Sequence, residues 1–324
     1  MRYYTTAIFL LFGFVLISLT TNEVQAQFCQ KYYPYITQAE LQICLGKPTE
    51  ALIHYQKAFE NTKKGHCKDY FNASLCAFEN RDTTLGFRYL TLSVESGLGE
   101  KILYNNPAIA LLMGSKPWKE FDKAVPNMLK KCEAQIQKKY QKMLNVYVQT
   151  YAYPNKIYSE EARSIYDELR RGLKKYGFPS VRDVGEKVHF WFVKYLVAHI
   201  HLDDTFMSNA QFKAMQKGEL SPYIYARHQE AINNYVNNQD SKAREKYGNN
   251  LFYILRAYSD VYYYPIRSQE DEQRINENRA ALGIGSLEEA RFFVHSLRQK
   301  GDKFDNLEGY LLGAYWYEVH TTLL

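Results

Sequence analysis

Apolar positions in this chain recur at spacings of three and four, and no stretch shows the strict alternation, closed by hairpin turns, that marks strands. In "AELQICLGKPTEALIHYQKAFENT" this spacing predicts one helix, a break at Gly46-Lys47-Pro48, and a second helix with Ala51, Tyr55 and Ala58 on one face. Pro48 suits a first helical turn and forbids continuation of the helix before it. The product is an antiparallel helix pair. About 35 residues further on, "NASLCAFENRDTTLGFRYLTLSVESG" repeats the arrangement, with Gly86, Leu90 and Ser93 in the places of Ala51, Tyr55 and Ala58. Small residues at these places let paired helices approach closely.

The pattern stays helical to the end. Leu129, Cys132, Ile136, Tyr140 and Leu144 trace one long amphipathic run, and "SEEARSIYDELRRGLKKYG" is closed by Gly177 and Pro179. Val188, Phe190, Phe192, Val193, Leu196, Val197 and Ile200 predict an apolar helix, and Ser286-Leu287-Glu288-Glu289 is a capping box. The expected fold class is all-α, with helix pairs in residues 27–126 packed against a second all-helical domain over 127–324. Residues 99–124 read as an apolar cap, with Trp118 and Phe121 covering the last pair.

The period and the small-large-small pattern of residues 33–98 resemble tetratricopeptide repeats. That resemblance implies either a concave surface for a peptide or partner protein, or, because two units are few, docking of the repeats onto the second half. Stacked this way, Cys29 and Cys67 stand near the starts of neighbouring first helices, with Cys44 and Cys76 farther down the same pair. Staples Cys29–Cys67 and Cys44–Cys76 are then expected, leaving Cys132 over.

Residues 155–295 resemble an uncharacterised bacterial domain family through an ordered set of signatures. They are Tyr176-Gly177-Phe178-Pro179, Val184-Gly185, Ala198-His199-Ile200-His201, Gly218-Glu219, Tyr225-Ala226, Tyr247-Gly248-Asn249-Asn250, Pro265-Ile266 and Arg279-Ala280-Ala281-Leu282-Gly283. The chain departs from the family where His201 replaces an Asp, where Glu230-Ala231 replaces Asp-Arg, and where Asn249-Asn250 replaces Thr-Gln. The family brings no activity with it. Tyr225, Gly248 and Asn250 are the candidates for binding.

Composition adds a compartment. Arg2, the apolar run from Ala7 to Leu19 and Val24-Gln25-Ala26 form a secretory leader over residues 1–26, with cleavage expected before Gln27. The run is short of the roughly 20 residues that span a bilayer, and no later stretch is long and apolar enough. A periplasmic or extracellular destination follows, and an oxidising one suits five cysteines confined to the first half. The net charge of +6 is scattered among acids as Lys130-Lys131, Arg170-Arg171 and Lys174-Lys175, which describes a solvated face and no nucleic-acid groove.

The candidate chemistry centres on "VAHIHLDD". On a helix His199 and His201 point about 200 degrees apart, so they cannot share a metal, whereas His199 and Asp203 meet on one face. No metal or cofactor is expected: phosphate loops, nucleophile elbows and zinc helices are absent from the sequence. The 29 tyrosines fill inter-helix seams or grip a ligand. The expected function is binding or scaffolding of a protein, peptide or cell-envelope component. The alternative is a hydrolase with catalytic candidates His199, Asp203, Tyr247 and Arg279.

Overall fold

The computed structural model describes residues 30–62, 65–135, 138, 140, 160–185, 188–189, 192, 205–239 and 268–292. Among the described residues there are helices and no strand, so the chain is all-α. No described helix is long and apolar enough to cross a membrane.

The first pair is α1 (Tyr33–Cys44) and α2 (Pro48–Glu60), and the second is α3 (Cys67–Glu79) and α4 (Thr83–Glu95). The break falls where proline and glycine place it. Gly46 takes a φ of +70° and the Lys47 amide reaches back to the Gln42 carbonyl, closing α1 before Pro48 opens α2. The second pair makes the same turn without glycine: Arg81 holds the left-handed position at φ 63°, the Asp82 amide donates to the Ala77 carbonyl, and the Asp82 side chain caps α4 through the Leu85 amide. Asp82 thus closes one helix and opens the next.

Ala51, Tyr55 and Ala58 are buried as one face of α2, and Gly86, Leu90 and Ser93 occupy the matching places on α4. The close approach is real in the second pair, since a Cβ at Gly86 would run into the Phe78 ring, and Ser93 donates to the Cys67 carbonyl at 2.6 Å. Two apolar clusters result, and α3 separates them. Tyr70, Ala73, Cys76 and Ala77 face one cluster, Cys67, Phe71 and Leu75 the other. Helices α5 (Glu100–Asn105), α6 (Pro107–Ala110) and α7 (Lys116–Gln135) close the second cluster, with Trp118, Phe121 and Val125 buried against Leu90 and Val94. Trp118 and Phe121, expected to cover the last pair, are both in this cluster. Helix α7 runs on through residues 126 and 127, where the sequence suggests a boundary between halves.

In the second half, α8 (Glu160–Tyr176) buries Ala162, Ile165, Tyr166, Leu169 and Leu173 at helical spacing. It leads through Gly177 to the short α9 (Val181–Val184), whose Ser180 and Asp183 make a capping box. Helices α10 (Thr205–Gln216) and α11 (Pro222–Gln239) form a pair around the Gly218-Glu219 turn, and α12 (Gln269–Ala281) ends at Leu282. The predicted capping box after α12 is present, the Ser286 hydroxyl accepting from the Glu289 amide and the Glu289 carboxylate from the Ser286 amide.

The two halves dock through α1 and the start of α3. Arg182 donates to the Gly65 carbonyl at 3.1 Å and to Ser96 at 3.4 Å, Gln38 donates to Glu289 at 2.8 Å, and the Tyr33 hydroxyl lies 3.3 Å from the Leu220 carbonyl. Every residue from Cys67 to Ala77 is buried.

One staple is corrected. Cys76 is a free thiol, so no Cys44–Cys76 bond is formed. Cys76 is buried in the cluster with Tyr55, Ala73 and Tyr89, whereas Cys44 stands half-buried in the last turn of α1, outside that cluster. A disulfide needs Cα atoms within about 7 Å and converging Cβ vectors. Burial, and secondarily the Glu79 carboxylate, push the Cys76 thiol far up and keep it protonated. Cys29 lies outside the described residues, and the Cys29–Cys67 pairing with it. Cys132, expected to be left over, is a free thiol whose S–H donates to the Val94 carbonyl at 3.2 Å.

Candidate functional site

A helix enclosed on all sides is ordinarily apolar all round, because each buried polar group gives up water. Helix α3 departs from that rule in its first turns, where Lys68, Asp69, Asn72 and Ser74 are all buried. The first turn of α3 opens onto a cavity of about 40 Å³ at the seam between the two halves. The first half contributes His66, Lys68 and Asp69 to its border, and the second half His189, Glu219, Ser221 and Tyr223. Its wall is otherwise mainly apolar, with Ile36, Val181 and Ile224 contributing. A cavity of that size holds roughly three waters or a ligand of a few heavy atoms.

The polar groups are positioned in pairs. The Tyr32 hydroxyl donates to the Asp69 carboxyl at 2.6 Å and accepts the His66 amide at 3.1 Å. The Tyr33 hydroxyl stands 2.6 Å from His66 Nε2, and the two rings stack at 5.8 Å. A self-consistent chain runs from a His66 Nε2–H to the Tyr33 oxygen and from the Tyr33 O–H to the Leu220 carbonyl. Tyr32 and Tyr33, at the start of α1, thereby fix the N-terminus of α3.

Burial governs the protonation states. It pushes the Asp69 carboxyl up to about 7, against the Tyr32 hydrogen bond and the Lys68 charge, which act the other way. Burial lowers His66 to about 4, helped by the positive charges of Arg182 and Lys68. It lowers His189 to about 3, with Lys68 and His66 adding to the effect. Both imidazoles are neutral at pH 7, and Asp69 is poised between its two forms.

His189 stands apart from the others. It is 2% exposed, borders the cavity, and neither ring nitrogen has a hydrogen-bond partner among the described residues. A neutral imidazole carries one donor and one acceptor, and leaving them buried and unmet costs about 1–3 kcal/mol per group. A group of this kind in a cavity bordered by perturbed carboxyl and imidazole side chains makes the cavity the candidate ligand site.

The sequence candidates fall elsewhere. His199, Asp203, Tyr247, Gly248 and Asn250 lie outside the described residues. Arg279 is fully buried at the end of α12, where its Nε–H donates to the Gly285 carbonyl, and it does not border the cavity. It ties down the loop that packs on Thr37. Tyr225 lies on α11 with its ring 5.6 Å from Phe212, and its neighbours Tyr223 and Ile224, not Tyr225 itself, border the cavity. Among the described residues no three His, Cys, Asp or Glu side chains gather as metal ligands.

Sequence reasoning passed over His66, Lys68, Asp69 and His189. The available signals were the "HCKDY" entry to a helix of otherwise core-forming spacing and the single imidazole in "VHFWF". His189 stands where the pattern demands burial, whereas Lys68 and Asp69 stand at a helix start, where solvation is ordinary. Compared with family models, curated proteins and solved structures, the chain shows no match, and the two family resemblances rest on the residues that suggested them.

Proposed function

We propose that this is an exported binding protein in which a tetratricopeptide-like scaffold and a second helical half hold a polar group of a cell-envelope component or peptide at their seam. One observation carries the reading: His189, buried beside a cavity, has two ring nitrogens with no hydrogen-bond partner among the described residues. A ligand that meets them recovers the free energy their burial gives up, and this favours occupancy of the cavity over emptiness. With α1 and the start of α3 covered by the second half, the ligand is reached at the seam and not along an open repeat groove.

The test is a thermal-shift screen of the purified protein against peptides and soluble envelope fragments, run in parallel on a His189→Leu variant. A saturable rise in Tm that the variant loses supports the reading. Shifts that are the same in both proteins, or none at all, overturn it.

A second reading, hydrolysis, is favoured by Asp69, whose carboxyl titrates near neutrality as a general acid or base must. Its discriminating variant is Asp69→Asn: retained binding with abolished turnover identifies an enzyme, whereas the absence of any turnover in the native protein leaves binding alone.

A further inference from the structure

Leu111 is 87% exposed, against 37–46% for the other exposed large apolar side chains among the described residues. It stands in the turn between α6 and α7, where Met113 and Ala110 are also exposed. The turn is tied down at both ends. The Asn106 side-chain oxygen accepts from the Ala108 and Ile109 amides, and the Leu112 amide donates to the Ile109 carbonyl at 2.9 Å. The Ser115 amide donates to the Leu112 carbonyl at 3.1 Å, and the Ser115 hydroxyl accepts from the Trp118 amide at 3.2 Å. Ile109 and Trp118, on either side of the turn, are buried. Leu111 and Met113 are thus held in water by a built backbone, and such a tip marks an interaction site.

Helix α7 begins directly after this turn. Trp118, Phe121 and Val125 make its buried face, and Lys116, Lys119, Lys123 and Lys130, spaced by three, four and seven, make the opposite one. All four lysines are exposed, and Lys131, also exposed, flanks them. At 1.5 Å per residue the row extends about 21 Å. Glu120 is the acid on this face, Asp122 accepts from the Tyr104 hydroxyl at 2.7 Å, and Glu133 lies to one flank. The tip and the lysine row together select the partner. A nucleic acid matches the lysines and leaves Leu111 in water. A tip of two or three side chains is too small for the core of a stable protein interface, which buries about 800 Å² on each partner. A bilayer needs no matching shape: its acyl boundary takes the apolar tip and its phosphates take the lysines. We propose that the α6–α7 turn and the lysine face of α7 dock this protein on an anionic lipid surface, with Leu111 and Met113 entering the acyl boundary and Lys116 and Lys119 at the headgroups. None of the residues that border the seam cavity takes part, so this surface and the seam site stand or fall separately.

The experiment is co-sedimentation of the purified protein with vesicles of phosphatidylcholine alone and of phosphatidylcholine mixed with phosphatidylglycerol. Binding to the mixed vesicles is expected to be tighter by about tenfold or more, and to weaken as salt screens the lysines. Leu111→Asp, and Lys116→Glu combined with Lys119→Glu, are each expected to weaken it by about tenfold or more. Arg163→Glu combined with Arg171→Glu makes the same change of charge at exposed positions of α8 and is expected to retain binding. Circular dichroism of each variant separates lost binding from lost folding. Equal binding to the two kinds of vesicle, or none to either, overturns the proposal. So does an equal loss in the α8 variant, which means attraction by net charge alone, or full binding by Leu111→Asp, which removes the tip from the contact. Polyglutamate bound more tightly than the mixed vesicles, with the same dependence on Lys116 and Lys119, assigns the face to an acidic protein and overturns the lipid.

Discussion

Replacing His189 with Leu removes a buried imidazole and leaves a side chain of similar volume, so packing changes little while the polar cost disappears. With two unmet ring nitrogens at 2% exposure, the expected gain is about 1–3 kcal/mol at neutral pH, where the imidazole is neutral in both folded and unfolded chains. The gain grows on acidification. The unfolded chain takes up a proton on His189 near 6.5, whereas burial and the Lys68 and His66 charges hold the folded value down at about 3. Stability from this group is therefore complete above 6.5 and lost steadily as pH falls toward 3. At about pH 5 the loss is about 2 kcal/mol, which the Leu variant does not suffer. His66 loses stability in the same direction and Asp69 gains it, but both are present in the two proteins and cancel in the difference. Glu219 and Arg182 also face this region and cancel likewise. The assay is urea unfolding of both proteins near pH 7.5 and near pH 5, comparing midpoints at equal slope. A variant less stable at neutral pH, or a gap that does not widen on acidification, refutes the reasoning and means that His189 makes a native interaction worth more than its burial costs.

Three further outcomes are expected. Arg81→Gly relieves a left-handed backbone at φ 63° and raises the urea midpoint by the equivalent of about 1 kcal/mol. Gly86→Ala drives a methyl into the Phe78 ring and lowers stability by about 1–3 kcal/mol, read by the same unfolding curves. Asp69→Asn keeps an acceptor for the Tyr32 hydroxyl but cannot ionise. Because the folded carboxyl stays protonated up to about 7, against 3.8 unfolded, the native protein loses stability as pH rises from 3.8 to 7. The variant therefore gains by about 4 kcal/mol above neutrality and by little near pH 4, a difference that Tm against pH measures.

Much of the first half was legible because local rules decide it. Proline at Pro48, glycine at Gly46, and the small-large-small faces around Tyr55 and Leu90 act over one or two turns, and the structure places them as the spacing predicts. The capping box at Ser286 belongs to the same class. The cysteine pairing was not legible, since a disulfide depends on how two side chains are placed in three dimensions: Cys76 is buried in the core cluster and Cys44 stands outside it.

The site was hidden for a related reason. Periodicity marks Lys68 and Asp69 as polar positions at a helix start, where solvation is the ordinary outcome. They are buried because Val181, Arg182 and His189, more than a hundred residues away, pack over them together with Leu220 and Tyr223. By itself the sequence determined the helices, their turns and the faces they bury, all consequences of side chains a few residues apart. Only the tertiary structure decided which polar groups lose their water, because that depends on which distant segment covers them, and in this protein the covered groups are Lys68, Asp69 and His189.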